Sequence, residues 1–521
     1  MSSSLEYTSW DETLAIHQTL SATFASGLTR SLKWRKWQLK QLWWLVTDNQ
    51  PAISAAMAAD LRRHEIESVA FDISNLQKDI QKTLAALESY ARDDRITDSG
   101  LLMRFVCRAR VRKEPLGVSL IIGAWNFPFL LLLQPLIAAL AAGCCVLLKP
   151  SELADASQRL IVDLVARYLD PRAVRVVTGA GPEMARMLAE VKFDQIFFTG
   201  STGVGRRVAE AAARKLTPVV LELGGQDPAI VCRSAHVDLS AKRIALSKFM
   251  NGGQICLSVN HVFVDPEIHD EFVERLKYWT QHFASGGDKG TDGGMCKIVN
   301  ERNYKRLAGL LESTKGEVFR ANVPEIEGVM TPAVITGIDN NDPILSEELF
   351  GPFCPVIKAS SSEAIKFTNA RPRPLALYIF SNDKSEVNHI MDTTISGGVT
   401  INDAILHYSV PTAPFGGVGD SGYGAYHGVH GFLAFSHRRT VITVPRWLES
   451  LLAGRYPPYD VAKRGKFAVK NSGGFRRGET MEDQHEKDGW IYRVKELFVK
   501  EKKVPDSAES VSSEVPIKGH N

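Results

Sequence analysis

Apolar positions recur at helical spacing from about Thr13 to Tyr90, most clearly in "SLKWRKWQLKQLWWLV". Trp34, Trp37 and Trp44 stand there among lysines. The pattern predicts a helix packed through its tryptophans, with lysine stems over apolar surface, in preference to a helix lying on a membrane. From Gly117 the period changes. Short apolar runs, "GVSLIIGAW", "CCVLLKP", "AVRVVTG", "FDQIFFTG" and "PVVLELGG", alternate with longer helical stretches. They predict the successive strands of a doubly wound α/β sheet. A second series opens near Asp227 with "PAIVC" and "NHVFVD", and runs through "CPVIKA" and "ALYIFS" to "GGVTIN". It predicts a second α/β domain. After Pro445 the composition shifts, and from about Lys463 the chain is charged and poor in branched apolar residues. That tail is expected to be disordered apart from one short amphipathic helix in "GWIYRVKELFVKEKK".

One run tests this globular picture. "FLLLLQPLIAALAAGCCVLL", Phe129 to Leu148, is about as long as a bilayer span of roughly 20 residues. Gln134 and Pro135 interrupt it, and its second half has the short apolar character of a parallel strand, so a buried helix followed by a buried strand is expected. The opening "MSSSLEYTSWDETL" carries acidic residues and no apolar core, unlike a secretory signal. No transmembrane anchor is expected, and a cytoplasmic protein, with peripheral membrane contact at most, is the reading.

Length and charge narrow the field. A chain of 521 residues exceeds what one core supports, so two or three domains are expected. A net charge of +3 gives no ground for nucleic acid as a partner. Seven cysteines occur without a CxxC or a ligand spacing with histidine, and Cys144 and Cys145 are adjacent inside an apolar run. Disulfides and metal are therefore not expected, and a reducing compartment is.

The candidate chemistry is spread along the chain. In "NGGQICLSVN" Cys256 follows a glycine pair and a glutamine, a context in which the backbone folds tightly and leaves sulfur accessible. A lone cysteine more often packs in a core, so other stretches must decide. "FFTGSTGVGRR" places Gly200, Ser201, Gly203 and Gly205 between a strand and a helix, where amide N–H groups can cradle a phosphate. Lys149 and Glu152 of "LLKPSE" stand at the carboxyl end of a strand, where a lysine and a carboxylate suit ribose hydroxyls. Glu222 of "LELGG", between leucines, is expected to be desolvated, which raises a carboxyl pKa toward that of a general base. Asn126 of "AWNFP" is an amide placed to meet a developing oxyanion or to cap a turn.

Together these pieces resemble the NAD(P)-dependent aldehyde dehydrogenases, and most nearly the class 3 and fatty aldehyde branch. The resemblance runs from about Leu32 to Arg439, carried in order by "WNFP", "LLKPSELA", "FFTGSTGVGR", "LELGG", "NGGQIC", "EELFGP" and "PFGGVGDSGYGAYHG". It implies Cys256 as nucleophile, Glu222 as deacylation base and Asn126 as an oxyanion donor. It implies NAD, with NADP also accepted, held by Trp125, Lys149, Glu152, Gly181, Gly200, Ser201, Gly205, Leu223, Glu348 and Phe350. The implied architecture is a Rossmann-type cofactor domain (1–90 and 112–223), a catalytic domain (224–422), bridging segments for oligomerisation (91–111 and 423–445) and a polar tail (446–521). A homodimer acting on medium- or long-chain aliphatic aldehydes follows, with aromatic or apocarotenoid aldehydes as the alternative.

The sequence departs from the family at several points. Phe127 stands where the branch often has tyrosine, "GGQDP" has Gln226 and Asp227 where lysine and serine are common, and the tail is polar where fatty aldehyde members often end in an apolar anchor. Two rival classes are a non-redox thiol acyl-hydrolase, opposed by the intact cofactor motifs, and a non-catalytic scaffold, which would be expected to lack Cys256, Glu222 or Asn126.

Overall fold

Thirteen consecutive residues, Leu130–Ala142, form a helix in which every side chain is buried. It has no polar face because it lies within the largest apolar cluster of the chain, against the helix Ser74–Ala91 and the strands Val118–Ile122 and Cys145–Lys149. Gly143, at φ 95°, ends it in the left-handed conformation that favours glycine. The buried strand Cys145–Lys149 follows directly. The bilayer-length run is therefore a buried helix and strand, as its interruptions predict. Among the described residues no helix is long and apolar enough to cross a membrane.

The computed structural model describes residues 6–287, 294–466, 477–478 and 480–481. Residues 1–443 and 444–521 cluster separately. In the first unit a six-stranded sheet has the spatial order Gly422–Tyr423, Val219–Leu223, Gln195–Gly200, Val118–Ile122, Cys145–Lys149, Val174–Val176. Its strands run parallel except Gly422–Tyr423. A seven-stranded sheet has the order Glu317–Arg320, Ala333–Thr336, Phe353–Lys358, His261–Val264, Pro228–Val231, Ala376–Phe380, Gly398–Ile401, parallel except for its first pair. All ten strands expected from apolar runs belong to these two sheets. The fold is α/β.

Apart from the short buried strand Ala333–Thr336, the strands the pattern missed are those without a core to face. Arg110–Pro115 and Ser436–Val441 pair in a three-stranded antiparallel sheet with Asp94–Arg95, and none of their residues is buried. Glu317–Arg320 is an edge strand with mostly exposed side chains. Without a buried face the period-2 signal vanishes.

The tryptophan helix corrects one expectation. In Leu32–Thr47 the buried face is carried by Leu39, Leu42, Leu45 and Val46 with Arg35 and Gln38. Trp34 packs on the core and its indole N–H donates to Asp170 Oδ2 at 3.2 Å. Trp37 and Trp44 are not packed: they are 58% and 49% exposed. Seven residues apart, they share the stripe away from the core.

The second unit contains short helical turns, of which Glu449–Leu452 is α-helical and Val461–Lys466 is 3-10. Most of the tail expected to be disordered, and all of "GWIYRVKELFVKEKK", lie outside the described residues.

Candidate active site

The loop bearing Cys256 leaves the helix Val237–Phe249 through an unusual turn. Asn251, Gly252 and Gly253 all take positive φ, at 49°, 60° and 71°. At Gly253 a Cβ would fall 2.2 Å from the carbonyl oxygen of Gly351, so "NGGQIC" lies backbone to backbone on "EELFGP". Asn251 fixes the turn by donating from Nδ2 to the carbonyls of Asn126 and Gln254, both at 3.1 Å. Gln254 Nε2 in turn donates to the carbonyls of Asn251 and Lys297, both at 3.0 Å. The glycine pair of the sequence is thus a packing requirement between two loops.

Cys256 emerges into a narrow chamber of about 60 Å³ whose walls include Phe127, Leu131, Met250, Phe415 and Tyr426. Glu222 is the one carboxylate among the described lining residues. It sits on the buried strand Val219–Leu223, 5% exposed, and neither of its oxygens has a hydrogen-bond partner. Burial therefore raises its pKa well above the usual carboxylate range. Cys256 is partly exposed as a residue, yet burial pushes its thiol up as well, and the negative charges of Glu348, Asp227 and Glu222 add to this. Burial thus disfavours the charged form of each group, and forming the thiolate requires that its proton leave for an acceptor.

Asn126 is 3% exposed and lies just past the strand Val118–Ile122. Its side-chain Nδ2 donates to the carbonyl of Gln254 at 3.1 Å, tying it to the Cys256 loop. Its own carbonyl accepts from the Arg63 guanidinium and from Asn251. Arg63 was not legible in the sequence. It is fully buried, pairs with Asp72 at 2.9 Å, donates to Asn251 Oδ1 at 3.2 Å and lies over the Phe127 ring at 4.5 Å. Nothing in "DLRRHE" separates it from its neighbour Arg62, because only the tertiary fold brings Asp72 and Asn126 to it. The chamber aromatics Phe415 and Tyr426 likewise gave no signal apart from their place in the last family motif.

The expected cofactor residues fall into two groups. Lys149 and Glu152 form a close ion pair, and Lys149 opens onto a separate groove of about 380 Å³ with Thr178, Gly179, Pro182 and Trp10. Gly181 begins the helix Gly181–Glu190, with open space where its Cβ would be. Gly200 ends a strand and exposed Ser201 is the N-cap of the helix Thr202–Ala213. A Cβ at Gly205 would meet Leu223 Cδ2 at 2.5 Å, so Gly205 and Leu223 set how closely that helix packs on its sheet. In the second group, Trp125 meets Phe350 edge to face, with ring centroids 5.4 Å apart, and Phe350 is held at φ 48°.

Glu348 shows what this second group fits. Its carboxyl, raised to about 7 by burial, faces the backbone so closely that a Cβ at Gly224 would fall 2.1 Å from Oε2. Its other oxygen, Oε1, is buried without a partner. An acceptor so placed suits the hydroxyls of a nicotinamide ribose.

Comparison with known proteins agrees with this geometry. Residues 18–441 match the model of the aldehyde dehydrogenase family. The chain belongs to the aldehyde dehydrogenase family. This aldehyde dehydrogenase is 40% identical to the dimeric NADP-preferring aldehyde dehydrogenase of Rattus norvegicus, over 84% of this chain and 95% of the relative. It is 39% identical to aldehyde dehydrogenase family 3 member A2 of the same organism, over 86% and 91%. It is also 41% identical to the beta-apo-4'-carotenal oxygenase of Neurospora crassa, over 87% and 85%. A substrate-bound structure of Staphylococcus aureus AldH superposes with a TM-score of 0.82 at 33% identity, covering 87% of this chain and 98% of that one. The enzyme is an NAD(P)-linked oxidoreductase acting on aldehydes.

Proposed function

We propose that the enzyme oxidises medium- or long-chain aliphatic aldehydes to carboxylic acids through a thioester on Cys256. The observation that carries this is the chamber itself: one thiol and one unpartnered carboxylate within otherwise predominantly apolar walls. The thiol adds to the aldehyde carbonyl and gives a tetrahedral adduct whose oxygen is stabilised by Asn126 and the Cys256 amide. NAD(P), when bound, would supply the hydride acceptor that this oxidation needs. Glu222, desolvated and free of partners, takes the proton of the attacking water as the thioester is hydrolysed. Glu348 and Phe350, with Trp125 and Leu223, would hold the nicotinamide side of the coenzyme. Lys149 and Glu152 would hold the adenine-side ribose, and Gly181, Gly200, Ser201 and Gly205 the pyrophosphate region. Glu152 favours NAD, because its carboxylate accepts from ribose hydroxyls and repels a 2′-phosphate.

A second reading is supported by Phe127, Phe415, Tyr408 and Tyr426, which give the chamber aromatic walls suited to a conjugated or aromatic aldehyde. The likeness to the Neurospora crassa carotenal oxygenase supports it too. The working form proposed is a homodimer in the cytoplasm, with cofactor segments 1–90 and 112–223, catalytic segment 224–422 and bridging segments 91–111 and 423–445. The test is absorbance of reduced coenzyme with a panel of aliphatic and aromatic aldehydes, for wild type and Cys256→Ala. The variant is expected to bind NAD normally and to oxidise none of the panel. Turnover near wild type in that variant would sink the assignment.

A further inference from the structure

The chamber does not end at its apolar walls. Asn75 and Tyr408 line both it and a smaller adjoining hollow of about 40 Å³, whose other walls include Lys78, Asp79, Gln134 and His427. The character of the lining changes completely across these two residues. Asp79 is 8% exposed, Gln134 5% and His427 4%. Three of the side chains form a chain of hydrogen bonds: the Tyr408 hydroxyl donates to Gln134 Oε1 at 2.7 Å, and Gln134 Nε2 donates to Asp79 Oδ2.

His427 is outside that chain. Neither of its ring nitrogens has a hydrogen-bond partner of normal geometry, and the carbonyl of Val410 is the group that most favours a proton there. Its ring is nonetheless well held, stacked on Phe415 at 5.3 Å and edge-on to Tyr408 at 5.0 Å and Tyr426 at 4.6 Å. These three rings are themselves walls of the chamber. A buried imidazole is thus fixed at the boundary of the two hollows, near the carbonyl of Val410, with at least one ring nitrogen unpartnered. Buried polar groups are normally partnered, so this one points to a ligand atom or a water.

We propose that the hollow is a subsite for the far end of the substrate, and that it selects aldehydes carrying a neutral oxygen function there, an ω-hydroxyl or a second carbonyl. This rests on the reading that the reacting aldehyde occupies the Cys256 chamber. His427 and Tyr408 would meet the distal oxygen while the apolar walls take the intervening chain. The neutral class is favoured because the wall holds a carboxyl, Asp79, beside the exposed Lys78, so a charge of either sign is opposed by one and attracted by the other, while burial would still cost its desolvation.

The test compares n-alkanals with ω-hydroxyalkanals of matched length on wild type and His427→Phe, which keeps an aromatic ring and removes both nitrogens. In wild type, the ratio of kcat/KM for the hydroxylated over the plain aldehyde should pass through a maximum at one chain length, at least about ten-fold above its shortest-chain value. In His427→Phe that maximum should disappear through a rise in KM for the hydroxylated series larger than any change in the n-alkanal series. Competitive inhibition of n-alkanal oxidation by α,ω-diols against 1-alkanols gives a second readout on wild type alone, the diol binding more tightly at the same length. Oxidation of n-alkanals with no preferred length in the ω-hydroxy series, and no advantage for diols, would show that the hollow holds water only. Failure to oxidise any n-alkanal would instead overturn the reading of the chamber.

Discussion

At the residue scale the site turns on two protons. The raised pKa of Glu222 has burial as its only cause, since no charge or hydrogen bond opposes it. A raised carboxyl pKa means the folded chain binds a proton that the unfolded chain releases near the ordinary value. The stabilisation is complete below that value and is lost as pH rises through the folded pKa. Catalysis has the opposite requirement, because a base must be unprotonated. Glu222→Gln should therefore keep a burst of reduced coenzyme at wild-type amplitude while the steady rate falls at least about 100-fold and no longer rises with pH. It should also unfold at higher temperature than wild type at alkaline pH, having no charge to bury. Rapid mixing and a thermal melt series check both, and an equal fall in burst and steady rate would remove Glu222 from deacylation. The type and position of this residue were legible from its leucine neighbours. The absence of any partner was not, because partners come from segments distant in the chain.

Elements set how accurately those residues meet. The Cys256 loop and the loop of Glu348 and Phe350 touch through Gly253 and Gly351, where no side chain fits. Gly253→Ala would place a Cβ against a carbonyl at a positive φ, forcing the loops apart at a cost of about 1–3 kcal/mol. Activity should fall at least about ten-fold, because misplacement of reacting groups by an ångström carries a penalty of that order or more. Coenzyme titration and a chemical unfolding curve on the variant separate the two effects, and wild-type values in both would refute the packing role of Gly253. The same scale explains which helices could be read. Leu130–Ala142 was predicted as a buried helix because its run has no polar face at all. The tryptophans of Leu32–Thr47 misled because Trp37 and Trp44 are outside the leucine stripe that packs on the core.

For the whole molecule, the boundary at Thr443 and Val444 separates the unit that holds every residue of the candidate site from the rest of the chain. A chain truncated after Ser472 is therefore expected to oxidise aldehydes with unchanged kcat/KM. The proposed cytoplasmic form, with peripheral membrane contact at most, predicts that activity in cell fractions leaves the membrane pellet at high salt. Activity released only by detergent would refute peripheral contact.

The sequence by itself determined the class of fold, the strands buried on both faces, the family and the residue types of the chemistry. All of these are written locally, in runs of a few residues whose period or spacing survives without neighbours. The tertiary structure alone decided that Arg63 and Asp72 hold the Asn126 loop, that Glu222 and Cys256 share one apolar chamber, and that His427 is buried at its edge with a ring nitrogen unpartnered. Each of these depends on contacts between segments tens to hundreds of residues apart, and the free energy of burying a charge or an unpaired nitrogen has no expression in the chain until those segments close around it.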